Sequence, residues 1–136
     1  MYLLDTDVLS NLSRRSPAAY LIVKMASIPQ EQQFTSSVTA AELVYGAYRF
    51  KPRTAALLER ISAILSNYMP VLPFDREAAY RYGQIRADLE SKGTPIGDAD
   101  LRIASIALAR NLTVVTGNIV HFRRVPDLPV ENWLEP

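Results

Sequence analysis

Acidic residues placed just after apolar runs are the part of this sequence best able to do chemistry. Four apolar residues lead into Asp5 and Asp7, Glu42 follows a β-branched run, and Asp98 and Asp100 precede an alanine-rich segment. Two carboxylates about 4 Å apart repel by about 4 kcal/mol at an effective dielectric of 20, so a converging set needs a proton or a cation. Oxygen ligands without His or Cys favour Mg²⁺ or Mn²⁺.

Each acid also has a purely structural explanation. Asp5, Thr6 or Asp7 can cap the first helix, and Thr39 and Glu42 have the spacing of a capping box. Asp98 can cap a helix that begins at Leu101. Asp100 would then lie in the first turn, where the helix dipole favours it but no backbone donor requires it. Its carboxylate is therefore the most available for another role.

The elements that must position these acids alternate along the chain. Strands are predicted over residues 1–4, 33–38, 71–74, 112–116 and 128–133, the third and fifth as edge strands because each contains proline. Helices are predicted over 8–14, 18–27, 39–48, 54–67, 76–92 and 101–110, with Asp75 as the cap of the fifth. This alternation favours an α/β fold with a mainly parallel sheet. In such a sheet, a site forms at the carboxyl ends of the strands.

Composition limits the protein class. The 136 residues suit one domain, and 49% hydrophobic with 21% charged residues is typical of a packed globular protein. A net charge of +1 does not by itself indicate a nucleic-acid partner. The absence of Cys excludes thiol nucleophiles and Cys-based zinc sites. We find no membrane span or signal peptide in the sequence and expect a cytoplasmic protein.

Four segments together resemble one known family, the PIN-domain ribonucleases of the VapC toxin type. The segments are residues 4–10, 42–47, 95–104 and 114–122, and the tail 123–133 is also similar. The resemblance covers essentially the whole chain in the right order. It implies a single PIN domain over residues 1–136, folded as a three-layer α/β/α sandwich around a mainly parallel sheet.

The function implied by the resemblance is metal-dependent RNA cleavage. Asp5, Glu42 and Asp100 fall on the family's three acidic positions, and Asn118 falls on a fourth that is often Asp. Asp5 and Asp100 would hold Mg²⁺, or alternatively Mn²⁺, and the metal would activate a water against an RNA phosphodiester. Glu42 would contribute directly or through water. Asp7 would remain a helix cap or supporting residue.

The resemblance also implies partners. It describes the toxin of a type II toxin-antitoxin pair that cleaves structured RNA of the tRNA or rRNA class, binds a VapB-like antitoxin and forms a homodimer. Thr6 and Thr116, at strand ends, are candidates to orient carboxylates or phosphate, or simply to satisfy backbone groups there. Tyr45 and Tyr48 could stack on bases, or belong to the core or a partner interface. The cations nearest the motifs are candidates for phosphate contacts: Arg14, Arg15, Arg49, Lys51, Arg53, Arg102, Arg123 and Arg124.

Two other functions remain open on the sequence. A strand followed by Asp5 and Asp7 also fits a haloacid-dehalogenase-like phosphatase, with Asp5 as nucleophile and Asp7 as acid and base. That hypothesis gives Glu42 no role and needs a positioned lysine, of which there are only three. The third hypothesis is a non-catalytic PIN-like binding module whose acids only cap helices.

Overall fold

A parallel five-stranded sheet forms the centre of the protein, which we describe from a computed structural model over residues 1–67 and 69–136. The spatial order of the strands is β3-β2-β1-β4-β5, and every neighbouring pair is parallel. Their bounds are β1 Tyr2–Leu4, β2 Gln33–Ser36, β3 Val71–Leu72, β4 Thr113–Val115 and β5 Val130–Glu131. The predicted parallel sheet and the two predicted edge strands, β3 and β5, are confirmed.

Seven α-helices connect the strands. They are α1 Thr6–Leu12, α2 Ala19–Ala26, α3 Ser37–Arg49, α4 Thr54–Asn67, α5 Arg76–Ser91, α6 Asp98–Ala109 and α7 Ile119–Phe122, and a 3₁₀ turn spans Gln30–Gln32. The short helix α7 was absent from the predicted elements. Among the residues that the structure describes, no helix combines the length and apolar character needed to cross a membrane.

Alternating side chains of the central strands build a core on each face of the sheet. Leu3 and Val114 pack on one face with the buried residues of α5 and α6. Leu4 and Val115 pack on the other face with residues of α1 and α2 and with the buried Trp133. Successive strand residues point to opposite faces, so both faces need a helical cover. The three-layer α/β/α sandwich is confirmed.

Three helices begin two or three residues before their predicted start. Helix α1 is capped by Asp5, whose side chain accepts from Thr6 N at 2.7 Å. Helix α3 begins two residues early because Ser36 accepts from Thr39 N at 3.0 Å, so Thr39 does not start a capping box. Helix α6 begins at Asp98, after Gly97, without a side-chain cap. The capping roles predicted for Asp98 and for the Thr39 pair are therefore wrong.

The predicted start of α5 is confirmed. Asp75 occupies its N-cap and accepts from Ala78 N at 3.0 Å. The helix ends at Ser91 and is followed by Gly93, whose φ of 71° is in the left-handed region where glycine is favoured. Helix α5 packs along α6 and so supports the helix that carries Asp100.

Candidate active site

Strand register explains how the acidic site is assembled. Leu4 of β1 pairs with Val115 of β4, so Asp5 and Thr116 are the next residues beyond the paired ends. The Asp5 backbone N donates to Val115 O at 2.9 Å, and the Thr116 hydroxyl donates to Asp5 Oδ2 at 2.8 Å. The hydroxyl of Thr116 also accepts from Asn118 N at 2.9 Å. Two of the predicted site residues, Asp5 and Asn118, thus meet at one threonine.

Asp5 is a buried carboxylate with an unfavourable electrostatic environment. Its residue is only 5% exposed. Burial and the neighbouring Asp7, with a smaller contribution from Asp100, raise the pKa of Asp5 to about 7. The hydrogen bonds from Thr116 and the Thr6 amide oppose this shift. A carboxylate in this position is stabilised by any cation that can reach it.

Glu42 reaches the site from the neighbouring helix. Its Oε1 accepts from the Thr6 hydroxyl at 2.6 Å, and the Thr39 hydroxyl oxygen lies 3.2 Å from that of Thr6. Thr39 is fully buried between these groups, whereas Glu42 is exposed. The side chain of Glu42 therefore crosses to α1 instead of folding back on the start of its own helix. This contact confirms that Thr6 orients a carboxylate.

Asp100 forms the third part of the site together with Asn118 and His121. The Asn118 side-chain amide donates to Asp100 Oδ2 at 3.1 Å and lies 2.9 Å from His121 Nδ1. His121 Nδ1 is itself 3.7 Å from Asp100 Oδ2. Burial raises the pKa of Asp100, and Glu42 adds to this effect, while His121 and Asn118 oppose it. Asp100 thus senses the charge of Glu42, and Asp5 senses that of Asp100.

His121 is a neighbour of the site that the sequence arguments did not single out. Its residue follows Asn118 by three positions, which places both side chains on the same side of a helical turn. The short helix α7 creates this spacing, and a helix of four residues is too short to show a periodic pattern in the sequence. The available indication that His121 lies near the site was its position three residues after Asn118.

Asp7 holds the loop that carries Asn118. Its Oδ2 accepts from Gly117 N at 2.8 Å, and its Oδ1 lies 3.5 Å from the Thr116 hydroxyl. A Cβ on Gly117 would lie 2.8 Å from Asp7 Oδ2 and 2.9 Å from Leu134 Cδ1, so a larger residue here would displace the ends of these two side chains. The interpretation of Asp7 as a cap is wrong, and its supporting role is confirmed.

Asp98 faces away from the site despite its proximity in sequence to Asp100. Two residues on a helix are separated by about 200°, so the two side chains lie on nearly opposite faces. Asp98 accepts from Tyr82 Oη at 2.5 Å and from Arg102 Nε at 2.7 Å. These hydrogen bonds, that of Tyr82 first, lower the pKa of Asp98. Asp98 ties α6 to α5 and contributes no group to the acidic site.

The donor set of the site suits a hard divalent cation, although the side chains are not gathered around one point. Its available oxygens belong to Asp5, Glu42 and Asp100, with the amide of Asn118 beside them. Within residues 1–67 and 69–136, no group of three His, Asp or Glu side chains is arranged to hold a metal ion. Thr116, Thr6 and Asn118 instead donate to the three acids. Each acid keeps free lone pairs beside its hydrogen bond, so it can hold a cation while these donors fix its orientation.

Comparisons with known proteins agree with this geometry. The PIN domain family matches residues 2–128. The chain is 36% identical to "Ribonuclease VapC2" of Rickettsia felis, over 98% of both chains, and 35% identical to "tRNA(fMet)-specific endonuclease VapC" of Salmonella typhimurium, over 97% of both. The solved structure of DNA-bound VapBC from Salmonella typhimurium superposes with a TM-score of 0.88 at 35% identity, over 97% of both chains. The chain belongs to the PIN-domain family and, within it, to the VapC ribonucleases.

Proposed function

We propose that this protein is a Mg²⁺-dependent endoribonuclease, with Mn²⁺ as an alternative metal, and that it acts as the toxin of a type II toxin-antitoxin pair. The observation that carries the proposal is the buried Asp5, whose pKa is raised to about 7 by burial and by the acids around it. An enzyme that works near neutral pH gains from such a carboxylate if a cation offsets its charge. We assign residues 1–136 to one PIN domain.

In this proposal, Asp5 and Asp100 hold the cation and Glu42 assists directly or through water. When bound, the cation would neutralise charge on the scissile phosphate and activate the attacking water. Thr116 would fix the orientation of Asp5 through its 2.8 Å hydrogen bond. Asn118 would fix Asp100 in the same way and, being neutral, would leave the site with three negative charges. Thr6 would orient Glu42.

The substrate and partners follow from the relatives. Because a relative that shares 35% of its sequence with this chain is named for tRNA(fMet), we propose structured RNA of the tRNA class as the substrate. Solved neighbours are toxin-antitoxin complexes, including VapBC2 from Rickettsia felis bound to a promoter DNA fragment. We therefore propose a VapB-like antitoxin partner. We also propose a homodimer, which light scattering of the purified protein would test.

The decisive experiment compares two neighbouring acids. Purified wild type, Asp100→Asn and Asp98→Asn would be incubated with tRNA and Mg²⁺, and the fragments mapped. Asp100→Asn should lose at least about 100-fold in rate, beyond the 10- to 100-fold typical of residues that only orient a metal ligand. Asp98→Asn should retain activity because its side chain contacts α5. Equal activity in all three proteins would contradict the proposal.

The phosphatase hypothesis is disfavoured by the placement of Asp5 and Asp7. A nucleophilic carboxylate must reach a phosphorus atom, but Asp5 is 5% exposed and both of its oxygens accept hydrogen bonds. Asp7, the presumed acid and base of that mechanism, accepts from a backbone amide. A phosphomonoester in the same assay would expose any such activity. Absence of metal-dependent cleavage and of metal binding would instead favour a non-catalytic module.

A further inference from the structure

Four arginines line an open cleft formed by α1, the segment after it, and the start of α4. The cleft has a volume of about 600 Å³ and is lined by Arg14, Arg15, Arg53 and Arg60 with Ser10, Ser13 and Leu57. All four arginines are exposed. Within the described part of the chain, the lining contains no acidic residue and one apolar side chain. We call this feature the arginine cleft.

The arginine cleft continues into the acidic site. A neighbouring groove of about 200 Å³ shares Ser10, Ser13 and Arg60 with the cleft and extends to Thr6 and Glu42. The two serines follow Thr6 by four and seven positions, so all three lie on one face of α1. Seven helical residues span about 10 Å, and a stacked strand that rises about 3.4 Å per nucleotide along its axis covers this distance in about three nucleotides. A strand leaving the acids along this groove would reach the cleft.

The walls of the groove combine polar residues with an apolar set that comprises Leu43, Ala47, Phe50, Leu57 and Ile61. Gly46 contributes no side chain to the wall, and Phe50 lines it with a ring that is 66% exposed. An exposed aromatic ring beside a basic track is a typical platform for base stacking. At the far end, Arg60 Nη1 donates to Ser13 O at 3.0 Å, which fixes one guanidinium at the junction of groove and cleft.

The charges of the arginine cleft remain available for a ligand. Over residues 1–67 and 69–136, the ion pairs use Arg86, Lys92, Arg102, Arg110 and His121, so none of them neutralises a cleft arginine. Two other cations near the motifs are engaged: Arg102 with Asp98, and Arg124 with the Pro95 carbonyl at 2.9 Å. Guanidinium groups bind phosphate in bidentate fashion, which favours a phosphate ligand here.

We propose that the arginine cleft binds backbone phosphates of the RNA strand about three nucleotides from the bond that is cut. The proposal rests on the RNA-cleaving function above and adds a substrate-length requirement to it. Within the cleft, a phosphate strand is favoured over an acidic peptide because four guanidinium groups surround a single apolar side chain, Leu57. The adjoining groove adds the apolar Leu43, Ala47, Phe50 and Ile61, so peptide binding is the competing outcome that the test below separates. RNA extending beyond the cleft should therefore bind more tightly than RNA that stops short of it.

The test compares the double variant Arg14→Gln/Arg53→Gln with a matched control, Arg76→Gln/Arg81→Gln, whose arginines are exposed on α5. Substrates would carry the wild-type cut site with about two or about eight nucleotides on each side, a range that spans typical single-strand site sizes. The cleft variant should raise KM about tenfold for the long substrate, without changing kcat, and leave the short substrate unaffected. The control should behave as wild type on both.

Binding measured without catalysis separates the two proposals. In metal-free buffer, anisotropy of a labelled RNA of about 12 nucleotides would give the dissociation constant as a function of salt. The slope of log K against log salt should fall by about 1.4 in the cleft variant, at about 0.7 per lost phosphate contact. Unchanged slope and affinity would overturn the cleft proposal even if wild type cleaves RNA. Weakened antitoxin binding with unchanged RNA binding would also overturn the cleft proposal, because it would indicate a peptide-binding site. Conversely, the salt slope could fall as expected while the wild-type protein fails to cleave RNA. That result would support the cleft proposal and refute the proposed nuclease activity.

Discussion

Replacing Asp5 with asparagine should stabilise the metal-free protein, by an amount that grows with pH. The pKa of Asp5 is raised from 3.8 to about 7 by burial, Asp7 and Asp100, so the folded protein keeps a proton that the unfolded chain releases. Because the folded state binds more protons in this window, the free energy of unfolding of wild type falls as the pH rises from about 4 through about 7. Asparagine does not ionise, so the variant does not lose free energy of unfolding in this way as the pH rises.

The size of the effect follows from the pKa shift. Each unit is worth about 1.4 kcal/mol, so the full shift corresponds to about 4 kcal/mol. About 2.5 kcal/mol of it accumulates between about pH 5 and about pH 8. With an unfolding entropy of about 2.1 cal/mol/K per residue, the difference in Tm between Asp5→Asn and wild type should widen by about 9 °C over this interval.

Thermal unfolding followed by circular dichroism, in the presence of a chelator, would measure this difference. Glu59→Gln is the matched control because it removes an exposed carboxylate from α4. Its Tm should follow that of wild type at every pH. If the Tm of Asp5→Asn also runs parallel to wild type, or is lower throughout, the account of Asp5 as a buried charge in an acidic site is refuted.

Three further substitutions test the groups around Asp5. Gly117→Ala should destabilise the protein by about 1–3 kcal/mol in denaturant unfolding, because the added methyl overlaps the Asp7 carboxylate, and an unchanged midpoint would contradict this. Thr116→Val should weaken metal binding and RNA cleavage by about 10- to 100-fold while the protein stays folded, since it removes the donor to Asp5, and wild-type kinetics would count against it. Asp98→Asn should cost no more than about 1 kcal/mol of stability, because its ion pair with Arg102 is exposed. A larger loss would contradict the view that this contact is a surface interaction.

The fold could be predicted from the sequence because its signals are local. The apolar run before Asp5, the amphipathic pattern of residues 54–67 and the cap at Asp75 each depend on a few neighbouring residues. Parallel strand order then brings the strand ends to one edge, which is why Asp5 and Asn118 meet at Thr116. Periodicity alone did not decide whether the acids cap helices or bind a metal, and the family resemblance assigned Asp5, Glu42 and Asp100 to the site.

Details that depend on contacts distant in sequence could not be predicted. Glu42 looked like part of a capping box, but its partner Thr6 is 36 residues away. Whether Asp5 or Asp7 caps α1 depends on the exact residue where β1 ends, and sequence patterns locate helix ends only to within a few residues. Arg60 joins the arginine cleft because its side chain reaches Ser13 after α1, a contact that no spacing within α4 reveals.

Direct measurement of divalent metal binding tests the central claim, that the acids around Asp5 form a metal site. Titration calorimetry with Mn²⁺ and with Mg²⁺ would compare wild type, Asp100→Asn and Asp98→Asn. We expect wild type and Asp98→Asn to bind equally and Asp100→Asn to bind at least about tenfold more weakly, because only Asp100 contacts the site. The claim would be contradicted if wild type bound neither metal, or if all three proteins bound the metals with the same affinity.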